Sequence, residues 1–178
     1  IGAKEVWKGT GGFKGVTGKG IVVAVLDSGI DLNHPEFMGK IYKPWDFVDN
    51  DSVPEDEKGQ NFHGTHVSGT IAAANDGLEI MGVAYDAKIM PLKVLSANGH
   101  GDLSKAIRYA VDNGADVINM SFGKYPKYHD YFKQSTKDAI KYAHEKGVVC
   151  VMAAGNGYDG YLGKYDPFPN PTFPARFA

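Results

Sequence analysis

Two histidines three residues apart, His63 and His66 in QNFHGTHVSGT, are of a type and spacing that invite chemistry. Imidazole changes charge near neutrality, so it serves either as a metal ligand or as a carrier of protons. A zinc pair on one helix is normally spaced i, i+4 around a glutamate, as in H-E-x-x-H. Here the spacing is i, i+3, no acid lies between, and no cysteine or third histidine is close in sequence. That set is poor for zinc, which takes four N, S or O ligands. A general base is the better reading of His63, which stands at a helix start beside Gly64, where backbone must pass closely. A solvated first-turn histidine is the plain alternative. His66 reads as a structural neighbour.

Two further residues have the right chemistry. Asp27 closes the apolar run IVVAVL and is followed by Ser28-Gly29, which lets the chain turn sharply. In open α/β sheets functional groups gather at the carboxyl ends of strands, although an Asp there caps a turn about as often. Asn156 follows VVCVMAAG, and an amide fixed after a buried strand can donate a hydrogen bond to developing negative charge. Asn-Gly is equally a turn pair. The Gly-rich stretch GTGGFKGVTGKG (9–20) fits neither phosphate-loop register and precedes the first strand rather than following it, so it reads as a surface loop.

The elements that must position these groups are legible as four short apolar runs, 21–26, 89–95, 117–122 and 148–154. They are β-branched and nearly continuous, as in strands covered on both faces. Helical patterns lie between them. In 102–114, Leu103, Ala106, Ile107, Ala110 and Val111 form one stripe, with Asp102 suited to cap its start and Gly114 to follow its end. In 130–147, Phe132, Ala139, Ile140 and Ala143 share a face, and in 64–74 Val67, Ile71 and Ala74 do. Alternating strands and helices predict an α/β fold, a mostly parallel twisted sheet with helices on both faces. Residues 46–61 and 157–178 read as loops.

At 178 residues the chain amounts to about one domain, and its 43% apolar content suits a packed core. A net charge of −2 and the lack of any basic run argue against a nucleic-acid partner. The single cysteine, Cys150, allows no intrachain disulfide. No apolar stretch approaches the roughly 20 residues of a membrane span.

The segments VAVLDSGID, HGTHVSGT, GVAYDAKIMPLKVL, ADVINMSFG and AAGN, taken in order, resemble the subtilisin-like serine proteases over almost the whole chain. The resemblance implies a serine endopeptidase acting on extended polypeptide substrates. Asp27 would orient His63, His63 would be the general base and then the general acid, and Asn156 would be the oxyanion donor. It implies that substrate lies as an added strand between Gly99-His100-Gly101 and Ser121-Phe122-Gly123, with Ala153, Ala154 and Gly155 lining the pocket before the cut. It also suggests a calcium site built from a carboxylate of Glu36, a side-chain oxygen of Asp76 and the carbonyls of Ala74, Leu78 and Ile80, an all-oxygen set suited to a hard cation. At the Glu36 position the family usually carries Asp.

The resemblance also implies a nucleophilic serine in a Gly-Thr-Ser-Met-Ala-like turn beyond Asn156, and no serine here has that context; the last is Ser135. Residues 1–178 therefore read as the N-terminal major part of one peptidase domain, lacking its C-terminal elements. The expected partners are polypeptide substrate, a propeptide, and a second chain or missing C-terminal segment that carries the serine. An inactive fragment or peptide-binding pseudoenzyme is the alternative. Family habit points to a secreted or cell-surface location, and the sequence is equally compatible with an intracellular one.

Overall fold

A computed structural model of the chain describes residues 1–78, 80–123 and 134–154, and the backbone of 158–159 and 164–165. Its centre is β1 (Val22–Asp27), the first of the expected strands. Val23 and Val25 look to one face of the sheet, Ala24 and Leu26 to the other, and none is more than 6% exposed. That two-sided burial is why the run reads as continuously apolar instead of alternating. β1 pairs in parallel with β3 (Lys88–Lys93) on one side and β6 (Val117–Met120) on the other. β2 (Trp45–Asp46) and β7 (Val149–Met152) extend the sheet, giving the order β2-β3-β1-β6-β7, parallel throughout.

Helices cover both faces, as expected. α3 (Leu103–Asp112) and α4 (Gln134–Glu145) lie side by side over Ala24, Leu26, Met90 and Ile118, inserting Ala106, Ile107, Ala110, Ala139, Ile140 and Ala143. Asp102 caps α3 through the N–H groups of Ser104 and Lys105, and Gly114 takes φ 85° just past its end. The expected helix over 130–147 is described from Gln134; Phe132 lies outside the described residues. On the opposite face α2 (His63–Ala72) joins Val23, Val25, Ile30, Phe37 and Ile89.

The sequence stripe misjudged α2. Its buried residues are Gly64, Ser68, Gly69 and Ala72, while Val67 and Ile71 are half-buried and Ala74 lies past the end. At Gly64 the helix sits so close to the segment after β1 that a Cβ would collide with the Gly29 carbonyl. A short α1 (Ala3–Lys8) was not foreseen; it is anchored by Trp7 Nε1–H on the Val83 carbonyl. The supposed loop 46–61 pairs at its start through β2 and further along through an Ile30–Glu55 bridge. Two small antiparallel pairs lie outside the main sheet: β4 (Leu95–Ser96) with β5 (Gly99–His100), and β8 (Tyr158–Asp159) with β9 (Lys164–Tyr165) in the tail read as loop. Among the described residues no helix is long and apolar enough to cross a membrane.

Candidate active site

Because the strands are parallel, their carboxyl ends share one edge. β1 is central there, flanked by strands reached in opposite directions along the sheet, which is where open α/β sheets present their clefts. Asp27 ends β1 with its side chain fully buried. Its main chain is held by the parallel ladder and by Val94 N–H on its carbonyl. Oδ1 accepts the Ser28 N–H at 2.8 Å and stands 2.7 Å from His63 Nδ1. Oδ2 is buried and has no hydrogen-bond partner among the described residues. Burial pushes the Asp27 carboxyl above its ordinary value; the bonds to His63 and Ser28 pull the other way, and the nearby charge of Asp56 adds to the rise.

His63 opens α2 with its side chain 49% exposed, so one edge of the imidazole meets Asp27 and the ring still reaches solvent. Gly64 allows this approach. A Cβ there would collide with the Gly29 carbonyl and lie 3.1 Å from the Asp27 Cβ. Gly29 in turn takes φ 113° against the carbonyls of Pro54 and Glu55, a conformation that favours glycine. His66 is exposed on the next turn, apart from the Asp27–His63 pair.

The segments expected to flank substrate lie at the same edge. Ser121 follows β6, its Oγ accepting from Asn119 Nδ2; Phe122 packs on the core, and Gly123 is exposed. Ala153 follows β7 and donates its N–H to the Met120 carbonyl, and Ala154 is exposed. Gly99 and His100 are exposed in the β4–β5 hairpin, with open space around Gly99. The bare side of Gly101, expected to admit substrate backbone, meets Phe47: a Cβ there would lie 2.6 Å from the Phe47 Cβ. Gly155 and Asn156 lie outside the described residues.

Of the suggested metal ligands, Glu36 and Ala74 come together. Glu36 is 4% exposed and its Oε2 accepts the Ala74 N–H at 2.7 Å. Asp76 Oδ1 accepts from Leu78 N–H in its own exposed loop, and Ile80 is exposed. Among the described residues no three Asp, Glu, His or Cys side chains cluster as a metal site. Any cation here would rest on carbonyls and on the two carboxylates of Glu36 and Asp76, a donor chemistry that fits calcium and not zinc.

Sequence reasoning missed the groups that brace the pair. Ser28 Oγ accepts the Gly64 N–H, Asp56 holds Thr65, and Thr65 Oγ1 accepts the Asp31 N–H. Below them Lys93, 3% exposed at the end of β3, bonds Glu57 at 2.7 Å and lies 3.5 Å from Asp46. Ser28 had a signal, since it directly follows Asp27. Asp56 and Glu57 looked like ordinary members of an acidic loop.

Comparison with known proteins decides the lineage. The model of the subtilase family, peptidase group S8, matches residues 18–170. The chain belongs to the subtilase family. This subtilase chain is 44% identical over 158 residues to the Thermophilic serine proteinase of Bacillus sp. (strain AK1), covering 86% of the chain and 35% of that protein. It is 42% identical over 165 residues to the Major intracellular serine protease of Bacillus subtilis (strain 168), covering 90% and 49%. The crystal structure of fervidolysin from Fervidobacterium pennivorans, a keratinolytic enzyme related to subtilisin, superposes with TM-score 0.69 at 34% identity, over 86% of this chain and 23% of that one. The subtilase chain thus spans about half or less of the length of these relatives. Its relatives include both intracellular and extracellular proteases, so membership fixes no location.

Proposed function

We propose that residues 1–178 form the N-terminal major part of one peptidase domain and supply Asp27, His63 and Asn156 to a serine endopeptidase. The observation that carries this reading is the 2.7 Å contact between buried Asp27 and half-exposed His63, in a chain that belongs to the subtilase family. Asp27 accepts the Nδ1 proton of His63, which leaves Nε2 as the basic nitrogen and stabilises the imidazolium when it forms. Nε2 takes the proton from a serine hydroxyl as its oxygen attacks the scissile carbonyl, and returns it to the leaving amine as the peptide C–N bond breaks. Water then attacks the acyl-serine with the same base. The Asn156 amide donates to the carbonyl oxygen as it becomes anionic.

Among the described residues no serine hydroxyl reaches His63. Ser28 Oγ accepts the Gly64 N–H and Ser121 Oγ accepts from Asn119 Nδ2. The nucleophile is therefore assigned to a serine outside these 178 residues. Extended substrate lies between Gly99–Gly101 and Ser121–Gly123, with Ala153, Ala154 and Gly155 at the pocket before the cut. Glu36 and Asp76, with the carbonyls of Ala74, Leu78 and Ile80, are the residues that would hold calcium, which would tie the 74–80 loop to the core.

The test is to treat the native preparation with a fluorophosphonate and weigh every polypeptide intact. A tag on a serine in a longer product of the same gene, or on a companion chain, supports the endopeptidase. No tag and no cleavage of a denatured protein substrate would leave a peptide-binding fragment.

A further inference from the structure

α2 begins without a cap of its own. Asn61 and Phe62 are both left-handed, at φ 53° and 52°, and the side chain of Phe62 can accept nothing. Two such non-glycine residues in succession persist only where surrounding contacts hold them. Two of the free N–H groups of the first turn are taken by side chains from elsewhere in the chain: Gly64 N–H by Ser28 Oγ at 2.9 Å, and Thr65 N–H by Asp56 Oδ2 at 2.9 Å.

Asp56 does more than cap. It is 7% exposed, and Oδ2 also accepts the Thr65 hydroxyl at 2.7 Å while Oδ1 accepts the Glu57 N–H. Its own N–H donates to the Ile30 carbonyl, and the Thr65 oxygen it engages accepts from Asp31 N–H. The carboxylate thus joins the 46–61 loop to the turn that starts with His63, while the Asp56 N–H and the Thr65 hydroxyl tie both to the segment leaving Asp27. Bonds from a backbone N–H and a hydroxyl to an ionised carboxylate are about twice as strong as neutral ones, and a helix N-terminus favours the negative charge.

We propose that Asp56 is a positioning residue for the Asp27–His63 pair: it fixes the first turn of α2 on the 27–31 segment, so that His63 meets Asp27 in one orientation. This rests on the endopeptidase reading above. The bonds of Asp56 act directly on the turn that carries the base, and reach the β4–β5 hairpin beside the expected substrate strand at one remove, through Glu57, which accepts from Ser96. The effect therefore falls on kcat more than on KM, within the range of about 10- to 100-fold that misplacing a reacting group costs.

The experiment uses the full-length protein with Asp56→Ala, Asp56→Asn and Thr65→Val. Three quantities are read: kcat and KM on a peptide substrate, the fluorophosphonate labelling rate per folded molecule, and the proton NMR resonance of the hydrogen shared by His63 and Asp27. The expected result is a fall in kcat for Asp56→Ala with KM within about twofold. Partial recovery is expected in Asp56→Asn, which keeps an acceptor oxygen, along with broadening of the shared-proton resonance in Asp56→Ala. If Asp56→Ala does not fold, Thr65→Val, which retains the backbone N–H, carries the same comparison. Wild-type kcat, labelling and resonance in the folded variants would overturn the proposal. An inactive wild type whose resonance still broadens in the variants would count against the endopeptidase reading and for the role of Asp56.

Discussion

His63 Nδ1 and Asp27 Oδ1 stand 2.7 Å apart, one on the first residue of a helix and the other on the last residue of the central strand. The acid is sealed in the fold and the imidazole is half open to solvent. In the full-length protein, Asp27→Asn is expected to lower kcat by about 10⁴ with little change in fold, because the amide holds the wrong imidazole tautomer. His63→Ala should abolish labelling by a fluorophosphonate. Turnover within tenfold of wild type in either variant would remove the catalytic roles assigned here.

Gly64→Ala tests the close approach that brings the two together. The added methyl meets the Gly29 carbonyl and the Asp27 Cβ. Overpacking of this kind costs about 1–3 kcal/mol, and here it also pushes His63 away from its partner. Thermal melting and kcat should fall together. An unchanged melting temperature would show that the helix can shift freely on the sheet.

Glu57 gives a pH signature. The hydrogen bond from Lys93 holds its carboxyl below the ordinary value, outweighing burial. Burial pulls Lys93 down, but its bonds to Glu57 and Asp46 carry it above the ordinary lysine value. A carboxylate lowered in the folded state contributes stability that is full above its unfolded pKa and is lost as pH falls through the folded one. The melting gap between wild type and Glu57→Gln should therefore be constant near neutrality and shrink below the ordinary glutamate value of about 4.3. A gap that stays constant down to strong acid would remove the ion pair as its source.

Calcium should raise the melting temperature of the wild type and leave Glu36→Gln little affected. Binding to the folded state alone is worth about 2.7 kcal/mol when free calcium is 100-fold above Kd. Identical melting with excess calcium and with chelator would remove the assignment of Glu36, Ala74, Asp76, Leu78 and Ile80.

Much of this was legible because some signals in a sequence are local. The run before Asp27 announced a strand buried on both faces, and the Asp102–Gly114 pattern announced a capped helix, since both follow from the period and chemistry of neighbouring residues. The stripe of α2 misled because tight docking reverses the usual preference and puts glycine, serine and alanine inwards, with Val67 and Ile71 at the margin. Gly101 shows how little a glycine says by itself: it reports a close neighbour without naming it, and one such neighbour is Phe47. Asp56, Thr65 and the Lys93 cluster were invisible because no helix or strand period links them to their partners, whether nine residues away, as Thr65 is from Asp56, or 36, as Lys93 is from Glu57, and an acidic loop looks the same whether its carboxylates face water or a helix.

The pairings that hold Asp27 in place are all distant along the chain. Val22 meets Lys88 on one side, and Val23 meets Val117 on the other. Each ladder closes a long loop, and the entropy of that closure is lost before any contact returns it. The two halves of the site are thus fixed in place by strands that follow both of them in sequence. A chain emerging from the ribosome displays the histidine segment well before the third and fourth strands of the central sheet exist to fix its partner. The Asp27–His63 geometry thus depends on β3 and β6, strands that are made after both residues.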